Sequence, residues 1–221
     1  MSAHLLSWLI ALPVLGGVAT LVSGGADANR ARWVALVFAL ATLALCVPLL
    51  SGFDAMSSSM QFVQRLRWIE ALNVNYHVGV DGVAVALIAL TAFTTVLVLI
   101  GAWDAIDKQV HQYFAAFLVL EGLMIGVFSA LDALLFYVFF EGMLIPMFII
   151  IGVWGGPRRV YASVKFFLYT FLGSVFMLVG LVYLYLKGGS WQLADMAALP
   201  LTMSEQTWLF FAFLVAFAVK V

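Results

Sequence analysis

The chain has 221 residues, of which 66% are hydrophobic and only 10% are charged, and its formal net charge is −1. A soluble globular domain is about half apolar and about one quarter charged. This composition excludes an ordinary soluble enzyme and predicts a multi-pass membrane protein that contacts the lipid bilayer. The balanced charge offers no basic face, so no nucleic-acid partner is expected.

The cysteine and histidine content limits the cofactors that this chain can bind. Cys46 is the single cysteine, so the chain alone supplies no disulfide, cysteine-ligated zinc site or cysteine-bound iron–sulfur cluster. His4, His77 and His111 fall near span ends or in loops, unlike paired haem ligands inside a membrane. No glycine-rich phosphate motif is present. We therefore expect this chain to bind no cofactor and no metal.

Apolar runs of about 17–25 residues predict the membrane spans in chain order. The first run has no positively charged leader, so we expect it to stay as a span and not to be removed as a signal peptide. The seventh run is still apolar at Val221, which predicts that the sequence is part of a longer protein. The predicted spans are 5–22, 33–50, 82–103, 113–129, 131–154, 161–186 and one that begins near Thr207, with a long loop at 51–81.

Lysine and arginine residues in the loops predict the orientation of these spans. Positive residues are enriched in cytoplasmic loops. The first, third and fifth loops carry more of them than the even-numbered loops do. The odd loops are therefore predicted to face the cytoplasm, and the N-terminus to face the outside, which in a bacterium is the periplasm.

Two ionisable residues of opposite sign lie deep inside predicted spans. Glu141 is near the centre of the fifth span, and Lys220 is in the seventh. A charged side chain in hydrocarbon costs at least a few kcal/mol, so such residues normally have a partner, water or a function. Burial disfavours the charged form of either group and an opposite charge favours it, so the two can act as coupled switches. The alternatives are a protonated glutamate that joins helices and a lysine that extends to the membrane interface.

The spacing of these residues predicts a shared depth. Glu121 and Glu141 lie on either side of the connection at 129–132, each about ten residues from it. An antiparallel helical hairpin would place both carboxylates about 15 Å below that connection, and Lys220 about 20 Å below Thr207 on the same side. Pro146 removes one backbone hydrogen bond in the same span as Glu141, and the freed carbonyl can admit water.

Two further residues have weaker claims to function. Glu121 is followed by Gly122 and Gly126, which favour close helix contact, so proton transfer and structural hydrogen bonding are both open. Lys165 lies about one turn inside its span, where extension to the interface is an alternative to a role in proton entry.

Three segments resemble one family of membrane subunits. They are YHVGVDG at 76–82, the block EGLMIGVFSALDALLFYVFFEGMLIPMF and its continuation through 174, and AFAVKV at 216–221. Together they resemble the subunit M family of bacterial NADH:quinone oxidoreductase, respiratory complex I. This family is one branch of the antiporter-like proton-translocating subunits, which include Mrp-type cation/proton antiporter subunits. The resemblance covers nearly the whole chain.

This resemblance implies a fold and a domain organisation. The expected fold is all-α, a polytopic transmembrane helix bundle that forms the N-terminal half of an antiporter-like inverted-repeat fold. Residues 1–112 would form the first three spans with the loop at 51–81. Residues 113–221 would begin the proton-channel repeat and stop inside the seventh span.

The resemblance also implies a function. Glu141 and Lys220 match the glutamate and lysine that form the working pair of the family, with Glu121 and Lys165 as possible members of the proton path. The chain would translocate protons in the bacterial inner membrane, beside other membrane-arm subunits that include neighbouring antiporter-like ones. NADH oxidation, quinone reduction, FMN and iron–sulfur clusters would belong to other subunits. An Mrp-type antiporter subunit and a non-conducting structural scaffold are the alternatives.

Overall fold

The computed structural model describes residues 4–23, 25 and 27–220. Within these residues, six helical segments are long and apolar enough to cross a membrane, and a shorter apolar helix follows them. The prediction of a multi-pass membrane protein is therefore confirmed. The helices are α1 Leu5–Ser23, α2 Ala28–Ser51, α3 Gly82–Gly101, α4 Val110–Ser129, α5 Ala133–Gly142, α6 Leu144–Trp154, α7 Arg159–Gly188, α8 Leu193–Ala197 and α9 Met203–Ala218.

A β-hairpin lies within the segment that we predicted to be a loop. Strand β1 spans Gln61–Ile69 and pairs with β2, Val74–Val80, across a short 3-10 turn at Glu70–Leu72. Asn73 takes the left-handed conformation that closes this turn. The long loop predicted at 51–81 thus contains a hairpin, and the alternation of apolar and polar residues in VNYHVGV is the sequence signal of its second strand.

The described residues divide into two compact units. The first contains residues up to 64 together with 78–130, and the second contains 65–77 together with 131–220. This division reflects packing and does not test the predicted domain boundary at residue 112, which stays a prediction.

Helices α1 to α4 form the core of the first unit. Helix α1 packs on α4 and α2, and α3 packs on α2 and α4. Helices α1 and α4 approach closely at Gly122, where a Cβ atom would lie 2.7 Å from the carbonyl oxygen of Ile10 and 2.6 Å from Val14 Cγ2. Glycine at this position lets the backbones of α1 and α4 come together, as small residues do in membrane helix pairs.

Helix α7 is the element on which the second unit is assembled. It packs against α5, α6, α8 and α9. At the beginning of α5, Asp132 is fully buried, and its carboxylate accepts hydrogen bonds from the N–H groups of Leu134 and Leu135, each 3.1 Å long. It also accepts one from the N–H of Asn75 at 3.1 Å. Asp132 therefore caps the start of α5.

The predicted fifth span is broken near its middle. Helix α5 ends at Gly142 and α6 begins at Leu144. Proline has no N–H to donate, so Pro146 leaves the carbonyl of Gly142 without its regular helical partner. The expected local disruption therefore falls one residue after Glu141.

Candidate functional site

Glu141 lies in the last turn of α5, directly before this break. Its side chain is half-buried, and its Oε1 atom is buried without a hydrogen-bond partner in the structure. An unpaired carboxyl oxygen in an apolar setting is unfavourable for the ionised form unless water or a cation is near. The position of Glu141 thus fits a group that gains and loses a proton.

Tyr137 is the polar neighbour of Glu141 on α5. It lies one turn before Glu141 and interacts with it electrostatically. A side-chain hydrogen bond joins Tyr137 to Ser174, which is fully buried on α7. Because Tyr137 and Glu141 share one face of α5, this bond fixes that face against α7.

Lys220 lies two residues after the end of α9, over an aromatic ring of α5. Its Nζ atom is 3.9 Å from the centroid of Phe140, the residue that precedes Glu141 in the sequence. A cation over a ring face at this distance is attracted by about 2 kcal/mol or more when it is desolvated. Lys220 and Glu141 also interact electrostatically, although the two groups make no direct ion pair in the described chain.

The ring of Phe140 belongs to an aromatic cluster in the second unit. Phe140 is 7% exposed, stacks on Phe136 with centroids 5.5 Å apart, and meets Phe217 of α9 at 6.0 Å. Sequence reasoning missed Phe140, because the contact joins residues about eighty positions apart and no local pattern distinguishes this phenylalanine from its neighbours.

The start of α9 was also misplaced. The helix begins at Met203, one turn before the predicted start near Thr207. Thr202 and Glu205 form a capping box, a signal for a helix start that the sequence contains and the prediction overlooked. Lys220 is therefore farther along its helix than predicted, at a rise of about 26 Å and not about 20 Å. The contact with Phe140 still places it beside the Glu141 segment.

A polar cluster holds the first turn of α9 to the end of α7. Lys187 Nζ lies 2.5 Å from Glu205 Oε1, and the hydroxyl of Tyr183 donates a hydrogen bond to the same oxygen. The Glu205 carboxylate also accepts from the backbone N–H of Thr202 at 2.7 Å. These contacts fix one end of α9, while Lys220 lies at the other end.

Glu121 lies in the first unit, on α4. It is 1% exposed, and neither carboxyl oxygen has a hydrogen-bond partner in the structure. The structural alternative for Glu121, a hydrogen bond between helices, is thus not seen among the described residues. Cys46 of α2 is within electrostatic range of this carboxyl group. The role of Glu121 in a proton path stays a prediction.

Lys165 lies on an exposed face of α7. Its Nζ atom is 5.9 Å from the centroid of Tyr161, one turn earlier in the same helix. This geometry fits a lysine that extends along its own helix, and the role in proton entry stays a prediction. Within the described residues, no group of three or more histidine, cysteine, aspartate or glutamate side chains is arranged to hold a metal ion.

Comparison with known sequences agrees with the resemblance seen in the motifs. Residues 130–221 match the family described as NADH:quinone oxidoreductase/Mrp antiporter, transmembrane. NADH-quinone oxidoreductase subunit M of Rhodobacter capsulatus is 45% identical over 234 residues, which cover 98% of this chain and 45% of that protein. The chain thus spans less than half the length of this relative.

Two solved structures are similar to this chain. A chain of respiratory complex I from Thermus thermophilus with bound NADH has a TM-score of 0.83 and 27% identity, and the match covers 100% of this chain and 44% of that one. A chain of the Mrp complex from Dietzia sp. DQ12-45-1b has a TM-score of 0.84 and 15% identity, covering 97% of this chain and 23% of that one. The second likeness concerns the fold alone. The predicted fold class and the predicted resemblance to the subunit M family are both confirmed.

Proposed function

We propose, from the confirmed resemblance to the subunit M family, that this chain contributes to a proton-translocating membrane-arm subunit of an NADH:quinone oxidoreductase. One observation carries the proposal. The Lys220 ammonium group lies 3.9 Å from the ring centroid of Phe140, the residue that precedes Glu141 in the sequence. An acid and a base held together in apolar helices form a unit in which the protonation of one depends on the charge of the other.

The local step is an exchange between two arrangements. With charged Lys220 near Glu141, the carboxylate is favoured and Glu141 releases its proton. When Lys220 moves away or loses its proton, the unpaired carboxyl favours its neutral form and takes up a proton. The break after Gly142 gives water a place to reach this carboxyl, since the Gly142 carbonyl has no regular helical partner.

The surroundings of Glu141 suit this exchange. The aromatic ring of Phe140 attracts the Lys220 ammonium group without neutralising its charge. The lysine can therefore approach or leave Glu141 without breaking a direct ion pair. Tyr137 keeps the Glu141 face of α5 against α7 through Ser174. Glu121 and Lys165 are proposed as further members of the proton path, with Lys165 at its entry.

The proposed partners are the other membrane-arm subunits of such a complex, including neighbouring antiporter-like subunits. NADH oxidation and quinone reduction would occur in other subunits, where FMN and iron–sulfur clusters would be bound. The proposed location is the inner membrane of a bacterium, with the N-terminus in the periplasm, as the loop charges indicate.

The test uses Glu141→Gln in membrane vesicles that contain the complete assembled complex. Proton pumping is followed with a pH-sensitive dye while NADH is oxidised, and values are normalised to the amount of assembled complex. We expect Glu141→Gln to lower pumping by at least about tenfold, the loss typical of a positioned acid–base group. Glu70→Gln is the matched control, because Glu70 is an exposed glutamate paired with Arg67 at 3.6 Å.

The same vesicles separate the two alternatives. A structural scaffold predicts normal pumping by Glu141→Gln, since glutamine keeps the shape of the side chain, and that result would refute the proposal. An Mrp-type antiporter subunit is the second candidate, because the matched family includes both kinds of subunit. It predicts that no redox subunits co-purify with the protein and that a sodium gradient, without NADH, drives proton movement that Glu141→Gln abolishes.

A further inference from the structure

Gly173 of α7 lies against Val219, the residue that follows α9. A Cβ atom at this position would lie 2.2 Å from Val219 Cγ2, 3.0 Å from Cγ1 and 3.1 Å from Cβ. The 2.2 Å contact is an overlap with a methyl group of Val219, and the contact with Cβ, which no rotamer change moves, is itself tight. Glycine destabilises the interior of a helix relative to alanine, and the contact with Val219 gives this glycine a reason to be present.

The contact acts on the segment that carries the proposed lysine. Val219 directly precedes Lys220, whose Nζ atom lies over the Phe140 ring. Gly173 thus contacts Val219, the neighbour of Lys220. Ser174, the next residue of α7, is bonded to Tyr137, which lies one turn before Glu141 on the same face of α5.

The opposite end of α9 is fixed separately. Glu205 is bonded to Lys187 and Tyr183 of α7, and it caps the helix through Thr202. Added bulk at Gly173 therefore cannot be relieved by sliding α9 as a whole. A side chain at position 173 would instead displace residues 219 and 220.

We propose that Gly173 is a positioning residue for the Glu141–Lys220 pair, because its missing side chain lets Val219 dock on α7 and places Lys220 over Phe140. The inference rests on the proposed function of that pair. Gly173 would then set the distance between Glu141 and Lys220, although it has no side chain of its own.

The test compares Gly173→Ala with Gly180→Ala in vesicles that contain the complete assembled complex. Both glycines lie in α7 and face α9, but a Cβ atom at Gly180 would make only ordinary contacts, the shortest being 3.4 Å to Leu209 Cδ2. We expect Gly173→Ala to lower proton pumping about tenfold, since a shift of about 1 Å in a working group has effects of this order or larger. Gly180→Ala should pump normally.

The decisive variant is the double substitution Gly173→Ala with Val219→Ala. Removing both Cγ atoms of Val219 relieves the shortest contacts, so pumping should recover at least fivefold over Gly173→Ala. General loss of helix packing would not be repaired by a second truncation, because each truncation adds its own packing cost. The amount of assembled complex is measured by immunoblot for every variant.

Several results would overturn the proposal. They are normal pumping by assembled Gly173→Ala, no recovery in the double variant, and an equal loss in Gly180→Ala. If Gly173→Ala does not assemble, Val219→Leu applies the same steric pressure from the other side. Normal pumping by that variant, or its failure to assemble, also rejects a positioning role. Glu141→Gln in the same series distinguishes failure of the Gly173 proposal from failure of the proposed function. Normal pumping by Glu141→Gln would reject the proposed function itself.

Discussion

The coupling between Glu141 and Lys220 leads to a quantitative prediction. Glu141→Gln and Lys220→Ala should each lower proton pumping by about tenfold or more in an assembled complex. If the two residues act as a unit, the double variant should lose less than the product of the single losses. A loss in the double variant equal to the product of the single losses would mean that each residue acts alone.

The size of the coupling follows from the geometry. Lys220 Nζ is 3.9 Å from the ring of the residue that precedes Glu141, and we expect the two charged groups to lie within about 10 Å of each other. Opposite unit charges about 10 Å apart attract by about 1.7 kcal/mol at an effective dielectric constant of about 20. Since about 1.4 kcal/mol corresponds to a factor of ten, the double variant should retain roughly 20-fold more pumping than independent losses predict.

The assay follows proton pumping and quinone-linked NADH turnover in the same inside-out vesicles, normalised to assembled complex. Lys220→Arg serves as the control, because it keeps the positive charge and its guanidinium can still lie over an aromatic ring. It should retain more pumping than Lys220→Ala. Strict additivity, or near-normal pumping by Glu141→Gln or Lys220→Ala, would remove the pair from the mechanism.

Further predictions concern topology, two other residues of the spans and the cap of α5. Single cysteines at positions 158 and 195 should react with a membrane-impermeant reagent from the cytoplasm and the periplasm, respectively; labelling of position 158 from the periplasm would reverse the orientation. Glu121→Gln should lower pumping in an assembled complex if Glu121 belongs to the proton path as proposed; nearly intact pumping by that variant, with weakened assembly of Glu121→Leu, would assign Glu121 a structural role. Phe140→Leu should lower pumping by up to about 30-fold, which corresponds to the ~2 kcal/mol of a desolvated cation–π contact, with no loss of assembled complex; unchanged pumping would show that the ring does not hold Lys220. Asp132→Ala should lower the free energy of unfolding by about 2 kcal/mol, because three backbone N–H groups lose their acceptor; thermal unfolding in detergent measures this, and an unchanged midpoint would contradict it.

The sequence alone determined the class of the protein and the positions of most spans. Long apolar runs must become helices in a bilayer, because only intrahelical hydrogen bonds satisfy their backbone groups there. The same argument identified Glu141 and Lys220, since ionisable groups inside such runs are costly wherever the helices pack. Asp132 was likewise readable as a helix cap from its place before an apolar run.

Other local signals were present but were overlooked. The alternation in VNYHVGV marks strand β2, and Thr202 with Glu205 marks the start of α9. Both patterns are short, and hydropathy averaged over about 19 residues does not resolve features of this length.

Tertiary structure decided the surroundings of the pair. The placement of Lys220 over Phe140 joins residues about eighty positions apart, and the docking of Val219 on Gly173 depends on which face α7 turns toward α9. Hydropathy measures how apolar a helix is and carries little information about its neighbours, because lipid and helix surfaces are similarly apolar. The sequence therefore identifies the ionisable groups that lie in apolar runs, while their lateral partners are decided only when the helices pack.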